Sequence, residues 1–137
     1  MKQKVPFISV VIAAYNEKGD IEELTRRIDA AFRRLKIPYE LIYSIAGTDG
    51  TFDIVKKISK KFPIRYIYSE KPGGLGNDFK KGFSLISPES THVLTMDADL
   101  NHHPEEIPRF LDEMRKNNPD FIIGSREVPL AIINNIP

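Results

Sequence analysis

The run Ile8-Ser-Val-Val-Ile-Ala-Ala-Tyr-Asn-Glu17 decides how the rest of the chain is read. Its Val and Ile residues are continuous rather than alternating, the mark of a strand buried on both faces. A second run, His92-Val-Leu-Thr-Met96, has the same character and ends in Asp97-Ala-Asp99. Two apolar strands that each finish in polar, acidic residues predict a parallel sheet with a site at its carboxyl end.

Outward from these runs, strand and helix patterns alternate along the chain. The first strand is predicted over Val5 to Ala14. A helix over Asp20 to Leu35 follows, with Ile21, Leu24, Ile28, Phe32 and Leu35 on one face. Asp20 and Glu23 resemble a capping box at its start. Tyr39 to Ile45 reads as the second strand. Phe52 to Phe62 reads as the second helix, with Ile54, Val55, Ile58 and Phe62 inward. Ile64 to Tyr68 is the third strand. After Lys71-Pro-Gly-Gly74, a third helix carries Leu75, Phe79, Phe83 and Ile86 on one face. His92 to Met96 is the fourth strand. Pro104 opens a fourth helix at a position that tolerates proline, with Glu105 and Glu106 in its first turn. That helix buries Ile107, Phe110, Leu111 and Met114, and Phe121 to Gly124 forms a fifth strand.

Such alternation means βαβ units with right-handed crossovers, hence an α/β, three-layer, Rossmann-like fold with a mostly parallel sheet flanked by helices. With strand order 3-2-1-4, the order reverses between the first and fourth strands, where ligands of open parallel sheets bind. Residues 1–137 are expected to form a single domain, without repeats or linkers.

Composition narrows the function classes. The chain is 41% hydrophobic and 28% charged, ordinary for a globular protein. A net charge of +1 implies no nucleic-acid partner. Cysteine is absent, which removes disulfides and thiolate chemistry. The first apolar run is too short for a signal peptide, and no segment reaches membrane-spanning length. The expected location is cytoplasmic, or peripheral at the cytoplasmic face of a membrane.

The acidic turns suggest specific chemistry. Asp97 and Asp99, at i and i+2, form a compact holder for a divalent cation against a diphosphate, with Asn101 adding a side-chain oxygen. The plainer reading is a solvated acidic turn before the Pro104 helix. Tyr15 is suited to stacking on a base or ribose, and Glu17 to accepting a hydrogen bond from one. Asp49, in Gly47-Thr-Asp-Gly-Thr51, reads as an Asx turn capping the second helix. The glycine-rich Lys71-Pro-Gly-Gly-Leu-Gly76 offers backbone N–H groups to an anion, without the spacing of a phosphate-cradling Walker loop. Arg126 is suited to bidentate contact with a diphosphate. His102 and His103 read as residues of a helix start rather than metal ligands.

Taken in order, Ala14-Tyr-Asn-Glu17, Asp49-Gly-Thr51, Gly74-Leu-Gly76, Gly82-Phe83, Asp97-Ala-Asp-Leu-Asn101, Pro104-Glu105 and Gly124-Ser-Arg126 resemble family 2 glycosyltransferases of the GT-A fold. Within that family they are most like the dolichol-phosphate mannose and glucose synthases. The resemblance runs from Ile8 to Arg126. It implies inverting transfer from a GDP- or UDP-sugar with Mg²⁺ or Mn²⁺, to a polyprenyl-phosphate acceptor. It also implies that Ala14, Tyr15, Glu17, Ile45, Gly76, Asp97 and Ala98 line the nucleotide site. Asp97, Asp99 and Asn101 would surround the metal, and Asp99 and Arg126 would be catalytic.

Three departures stand out. Ser44 and Ile45 occupy the places of an Asp pair, one member of which holds the nucleobase in the family. Ala14 replaces a common Pro. The family also continues well past the Gly-Ser-Arg motif, so the chain is expected to be the N-terminal half, lacking most of the acceptor site. A homodimer or a completing partner chain is one expectation from this; a non-catalytic binding module on the same fold is the alternative function. A pyrophosphorylase-like enzyme would carry a glycine- and arginine-rich signature near its start, which this chain lacks.

Overall fold

A computed structural model describes residues 5–100, 103–123 and 131–134. Strand β1 (Ile8–Tyr15) leads to helix α1 (Ile21–Leu35), β2 (Tyr39–Ala46), α2 (Thr51–Ile58) and β3 (Ile64–Ser69). Helix α3 (Leu75–Phe83) and β4 (His92–Asp97) follow. A 3₁₀ turn at Pro104–Glu106 then runs into α4 (Ile107–Asn117), and β5 (Phe121–Ile123) and β6 (Ala131–Asn134) close the sheet. The strand order is β3-β2-β1-β4-β6-β5. Strands β3, β2, β1 and β4 are mutually parallel, in the expected order 3-2-1-4.

The far edge holds a strand not predicted from the sequence. β6 inserts between β4 and β5 and pairs antiparallel with both. The apolar stretch Ala131-Ile-Ile-Asn134 has the β-branched content of a strand. From sequence this tail reads as the start of an acceptor region, because the family it resembles continues past Gly-Ser-Arg, and no strand is predicted there.

Alternation along β1 divides the core. Ile8, Val10, Ile12 and Ala14 join the larger cluster, beneath Ile21, Leu24 and Ile28 of α1, Val55 of α2 and Ile107, Phe110, Leu111 and Met114 of α4. Val11, Ile42 and Val93 point to the other face and meet Phe79, Leu85 and Ile86. Tyr43 is fully buried and its hydroxyl lies 2.6 Å from Thr25 Oγ1. Thr25 in turn donates to the Ile21 carbonyl at 2.8 Å, so the Tyr43 hydroxyl is the donor. Arg27 Nε donates to Glu105 Oε2 at 2.9 Å and ties α1 to the start of α4.

Three local expectations need correction. The Asp20–Glu23 capping box does not form: Asp20 makes no side-chain cap, and Glu23 pairs with Arg26. The second helix ends at Ile58, four residues early, because Ser59–Phe62 turn into the Pro63 junction. The inward face of α3 is only partly the predicted one: Phe79 and Ile86 pack against Val11, Ile42 and Val93, but Leu75 and Phe83 do not join them. Leu75 and Phe83 are 63% and 39% exposed, while Asp78 and Gly82 are buried. The reason is how closely α3 approaches the sheet. A Cβ on Gly82 would lie 2.6 Å from Val11 Cγ1, so the glycine sets the approach, with Phe79 packed beside it and Leu75 and Phe83 left at the surface.

At the amino ends of the strands, buried Glu40 holds the segment after α3 in place. Its Oε1 accepts from Ser9 Oγ and the Ser87 N–H, each at 2.8 Å, and Arg65 Nε lies 3.6 Å from Oε2. These contacts fix the far end of the layer that Gly82 fits against.

Gly82→Ala is therefore expected to destabilise the protein by about 1–3 kcal/mol, the usual cost of overpacking. The check is a urea titration with a lowered midpoint at unchanged slope. An unchanged midpoint would mean that α3 can lift away from β1 without loss.

Candidate functional site

β1 and β4 both end at the same edge of the sheet, with Ala13 paired to Asp97. On the other side of β1, Tyr15 pairs with Ala46 at the end of β2. Three turns therefore leave the sheet side by side: 16–20 after β1, 47–50 after β2 and 98–100 after β4.

The first two turns are bound to each other through the backbone. Asp49 Oδ1 accepts from the Thr51 N–H at 3.0 Å and from Thr51 Oγ1 at 2.6 Å, the Asx turn expected from sequence. Its Oδ2 accepts from the Lys18 N–H at 3.1 Å. Thr51 Oγ1 accepts from the Glu17 N–H at 3.0 Å. One carboxylate and one buried hydroxyl thus anchor two successive N–H groups of the turn after β1.

Gly47 fits against that turn from below. Its φ is +104°, and a Cβ there would meet Asn16 Oδ1 at 2.3 Å and Tyr15 Cδ2 at 3.3 Å. Asn16 itself has φ +52°, a left-handed conformation that Asn tolerates better than most residues. Glycine is required at position 47 on both grounds.

Electrostatics mark the corner as anionic. Glu17 is half-buried, and its carboxyl is held above its ordinary value, first by burial and then by the charges of Asp99, Asp20, Asp49 and Asp97. Four other carboxylates are near enough for Glu17 to feel their charge. Asp49 departs the opposite way. Burial would raise it, but hydrogen bonds from Thr51 and the Lys18 N–H outweigh that and hold it below its ordinary value.

The predicted site residues fall into distinct groups. Tyr15 is 53% exposed at this edge of the sheet. Glu17, Asp97 and Asp99 are half-buried around it. Ala14, Ile45 and Ala98 are 2%, 2% and 3% exposed within the larger core cluster, so their side chains serve packing. Ala98 points into the core between two aspartates. Gly76 lies in the first turn of α3, on the opposite face from α1. Asn101 and Arg126 lie outside the described residues, as does His102. Among the described residues, no group of three or more His, Asp or Glu side chains is arranged to hold a metal ion. Asp97 and Asp99 offer hard oxygen donors, the type Mg²⁺ and Mn²⁺ take, with the remaining positions left to a diphosphate or water.

Sequence reasoning missed Thr51, Lys18 and Tyr68. The Asp-x-Thr spacing signals the first. Lys18 acts through its backbone, which leaves no signal. The Tyr68 hydroxyl donates to the Gly47 carbonyl at 2.8 Å, and nothing in the sequence separates this strand tyrosine from its neighbour Tyr66.

The Asp49 anchor has a pH signature. A carboxyl held below its ordinary value adds stability above that value, 3.8, and loses it as pH falls through the lower folded-state value. Wild type is expected to be more stable than Asp49→Asn near neutral pH, with the difference shrinking as the solution is acidified past 3.8. Denaturant midpoints of both proteins across that range are the check; a constant difference would contradict it.

Residues 9–135 match the family described as Glycosyl transferase family 2. A dolichol-phosphate mannosyltransferase of Pyrococcus furiosus is 37% identical over 131 residues, covering 95% of this chain and 36% of that protein. An undecaprenyl-phosphate 4-deoxy-4-formamido-L-arabinose transferase of Erwinia tasmaniensis is 30% identical over 148 residues, covering 98% and 44%. The chain thus spans less than half the length of these relatives. Among solved structures, the mannosyltransferase PcManGT from Pyrobaculum calidifontis, in complex with GDP-Man and Mn²⁺, superposes with a TM-score of 0.69. It shares 15% identity, with 93% of this chain and 44% of that one covered, a likeness of fold.

Proposed function

The chain belongs to glycosyl transferase family 2, and we propose that it is the nucleotide-sugar half of an enzyme transferring a sugar from a GDP- or UDP-sugar to a polyprenyl phosphate. The observation that carries this reading is the convergence of Glu17, Asp97 and Asp99 on one corner where β1 and β4 diverge. Mutually repelling carboxylates are costly to hold together, and a bound cation offsets that cost. The names of the relatives, both transferases acting with polyprenyl phosphates, support the acceptor class.

In this reading Tyr15 stacks on the nucleoside at the mouth, and Glu17 accepts from a ribose hydroxyl. Asp97 and Asp99 would hold Mg²⁺ or Mn²⁺, with Asn101 adding an oxygen. When bound, the metal neutralises charge on the departing diphosphate. The acceptor phosphate oxygen attacks the anomeric carbon from the side opposite the diphosphate. The bond to the diphosphate breaks as the new one forms, and the configuration inverts. A phosphate acceptor is already ionised near neutral pH, so this chain needs no strong base. Arg126 pairs with the phosphates. Residues beyond these, from a longer polypeptide or a partner chain, complete the acceptor site, and the enzyme works at the cytoplasmic face of a membrane. No helix among the described residues is long and apolar enough to cross one.

One observation favours a second reading. Ile45 is committed to the core where the family places a base-binding carboxylate, which suits a binding module without turnover.

Calorimetric titration with GDP, UDP and their sugar derivatives, with Mn²⁺ and with EDTA, separates the two. Metal-dependent binding is expected in wild type, and Asp99→Ala is expected to weaken it at least about tenfold, or ~1.4 kcal/mol. Unchanged Mn²⁺-dependent affinity in the variant would reject Asp99 as a ligand. Absence of binding in wild type would favour the second reading.

A further inference from the structure

Tyr68 ends in a position that the nucleotide-site reading does not use. It lies in β3, paired with Ile45 of β2, one strand removed from β1. Its ring stacks on Phe52 with centroids 4.1 Å apart and planes 7° from parallel. Tyr66 packs edge-on against the same Phe52 ring at 5.8 Å, and Lys56 Nζ sits 5.2 Å from its centroid. The Tyr68 ring is therefore gripped, and its hydroxyl is aimed at one atom, the Gly47 carbonyl, at 2.8 Å.

Gly47 is the residue pressed against Tyr15 and Asn16. Its N–H is held separately by the Glu70 carbonyl at 3.2 Å. Both polar groups of residue 47 are thus bonded to the β3 end of the sheet. Neither bond belongs to the regular β2–β3 ladder, which stops at Ala46 and Ser69. A peptide fixed on one side and in van der Waals contact on the other transmits position. If residue 47 moves toward β3, Asn16 loses its support; if it moves the other way, it collides with Asn16 Oδ1.

We propose that Tyr68 is a positioning residue: a strut that, through Gly47, holds the Tyr15–Lys18 turn in the arrangement that faces the ligand. It acts beside the Asp49–Thr51 anchor, which fixes the same turn from the α2 side. The two devices differ in what they contact. Asp49 and Thr51 bind the N–H groups of Glu17 and Lys18, whereas Tyr68 sets the floor beneath Tyr15 and Asn16. The consequence for ligand binding rests on the donor-site reading above; the consequence for the turn does not.

Tyr68→Phe removes the hydroxyl and keeps the stacked ring. Tyr43→Phe is the control, since it removes a buried hydroxyl bond to Thr25 away from these turns. The readouts are amide hydrogen exchange by NMR and calorimetric affinity for GDP and UDP with Mn²⁺. The N–H groups of Glu17, Lys18, Gly47 and Thr51 are hydrogen-bonded and serve as reporters. Tyr68→Phe is expected to accelerate exchange at these four about tenfold, to leave the β1 and β4 interior unchanged, and to weaken nucleotide affinity about tenfold. Tyr43→Phe is expected to do none of this at the four reporters. Unchanged reporters in Tyr68→Phe would overturn the strut. So would acceleration spread evenly over the sheet, or the same pattern in both variants, because each marks a general loss of stability. If wild type binds neither nucleotide while the reporters still respond to Tyr68→Phe alone, the strut stands and the donor-site reading falls.

Discussion

β1 is hydrogen-bonded in parallel on both sides, to β2 along all eight of its residues and to β4 from Ile8 to Ala13. Everything else follows from that constraint. A central parallel strand has no solvent face, so its residues must be apolar on both sides, as Ile8–Ile12 are apart from Ser9. Ser9 is tolerated because its hydroxyl donates to Glu40. Parallel neighbours also send their chains out at the same edge. The crossovers to β2 and to β4 lie on opposite sides of β1, so the exits of β1 and β4 diverge and leave a crevice.

That crevice concentrates negative charge on short turns. The charges of Asp99, Asp20, Asp49 and Asp97 all act on Glu17. Repulsion of this kind would spread flexible loops apart. Here the turn after β1 is held by side chains that bond its backbone, chiefly Asp49 and Thr51. One acidic residue is thus spent on structure, and its hydrogen bonds keep it ionised. Glu17 is raised first by its own burial and then by the charges of its acidic neighbours. Division of labour among like side chains, set by the hydrogen bonds each receives, is the way such corners are stabilised without a ligand.

The parallel half of the fold was legible because it rests on patterns of period. Continuous Val and Ile runs mark β1 and β4, and the 3.6-residue repeat of Ile21, Leu24 and Ile28 marks α1. The α3 face was read correctly at Phe79 and Ile86 but not at Leu75 and Phe83, because Gly82, which carries no hydrophobic signal, makes the closest approach to the sheet. β6 was missed because antiparallel insertion between β4 and β5 is a long-range choice with no local code. At the carboxyl edge, Tyr15, Glu17, Asp97 and Asp99 were candidates by residue type, and the structure brings them to one corner. Ile45 sits where its family position suggests a nucleotide contact, but strand alternation turns its side chain into the core with Leu41 and Tyr43. The struts behind the site were not legible. Lys18 acts through its N–H, and Tyr68 through a hydroxyl whose target lies 21 residues away in sequence.

The central claim is that the carboxyl edge at β1 and β4 is a nucleotide-sugar site. The most direct test is an NMR titration of the ¹⁵N-labelled protein with GDP and with UDP, in the presence of Mg²⁺, following backbone amide shifts. The account expects one of the two to shift residues 14–18, 46–51 and 97–100 together, with little change along α1 and α4. Shifts confined to the outer surfaces of α1 and α4, or no shifts with either nucleotide, would contradict it.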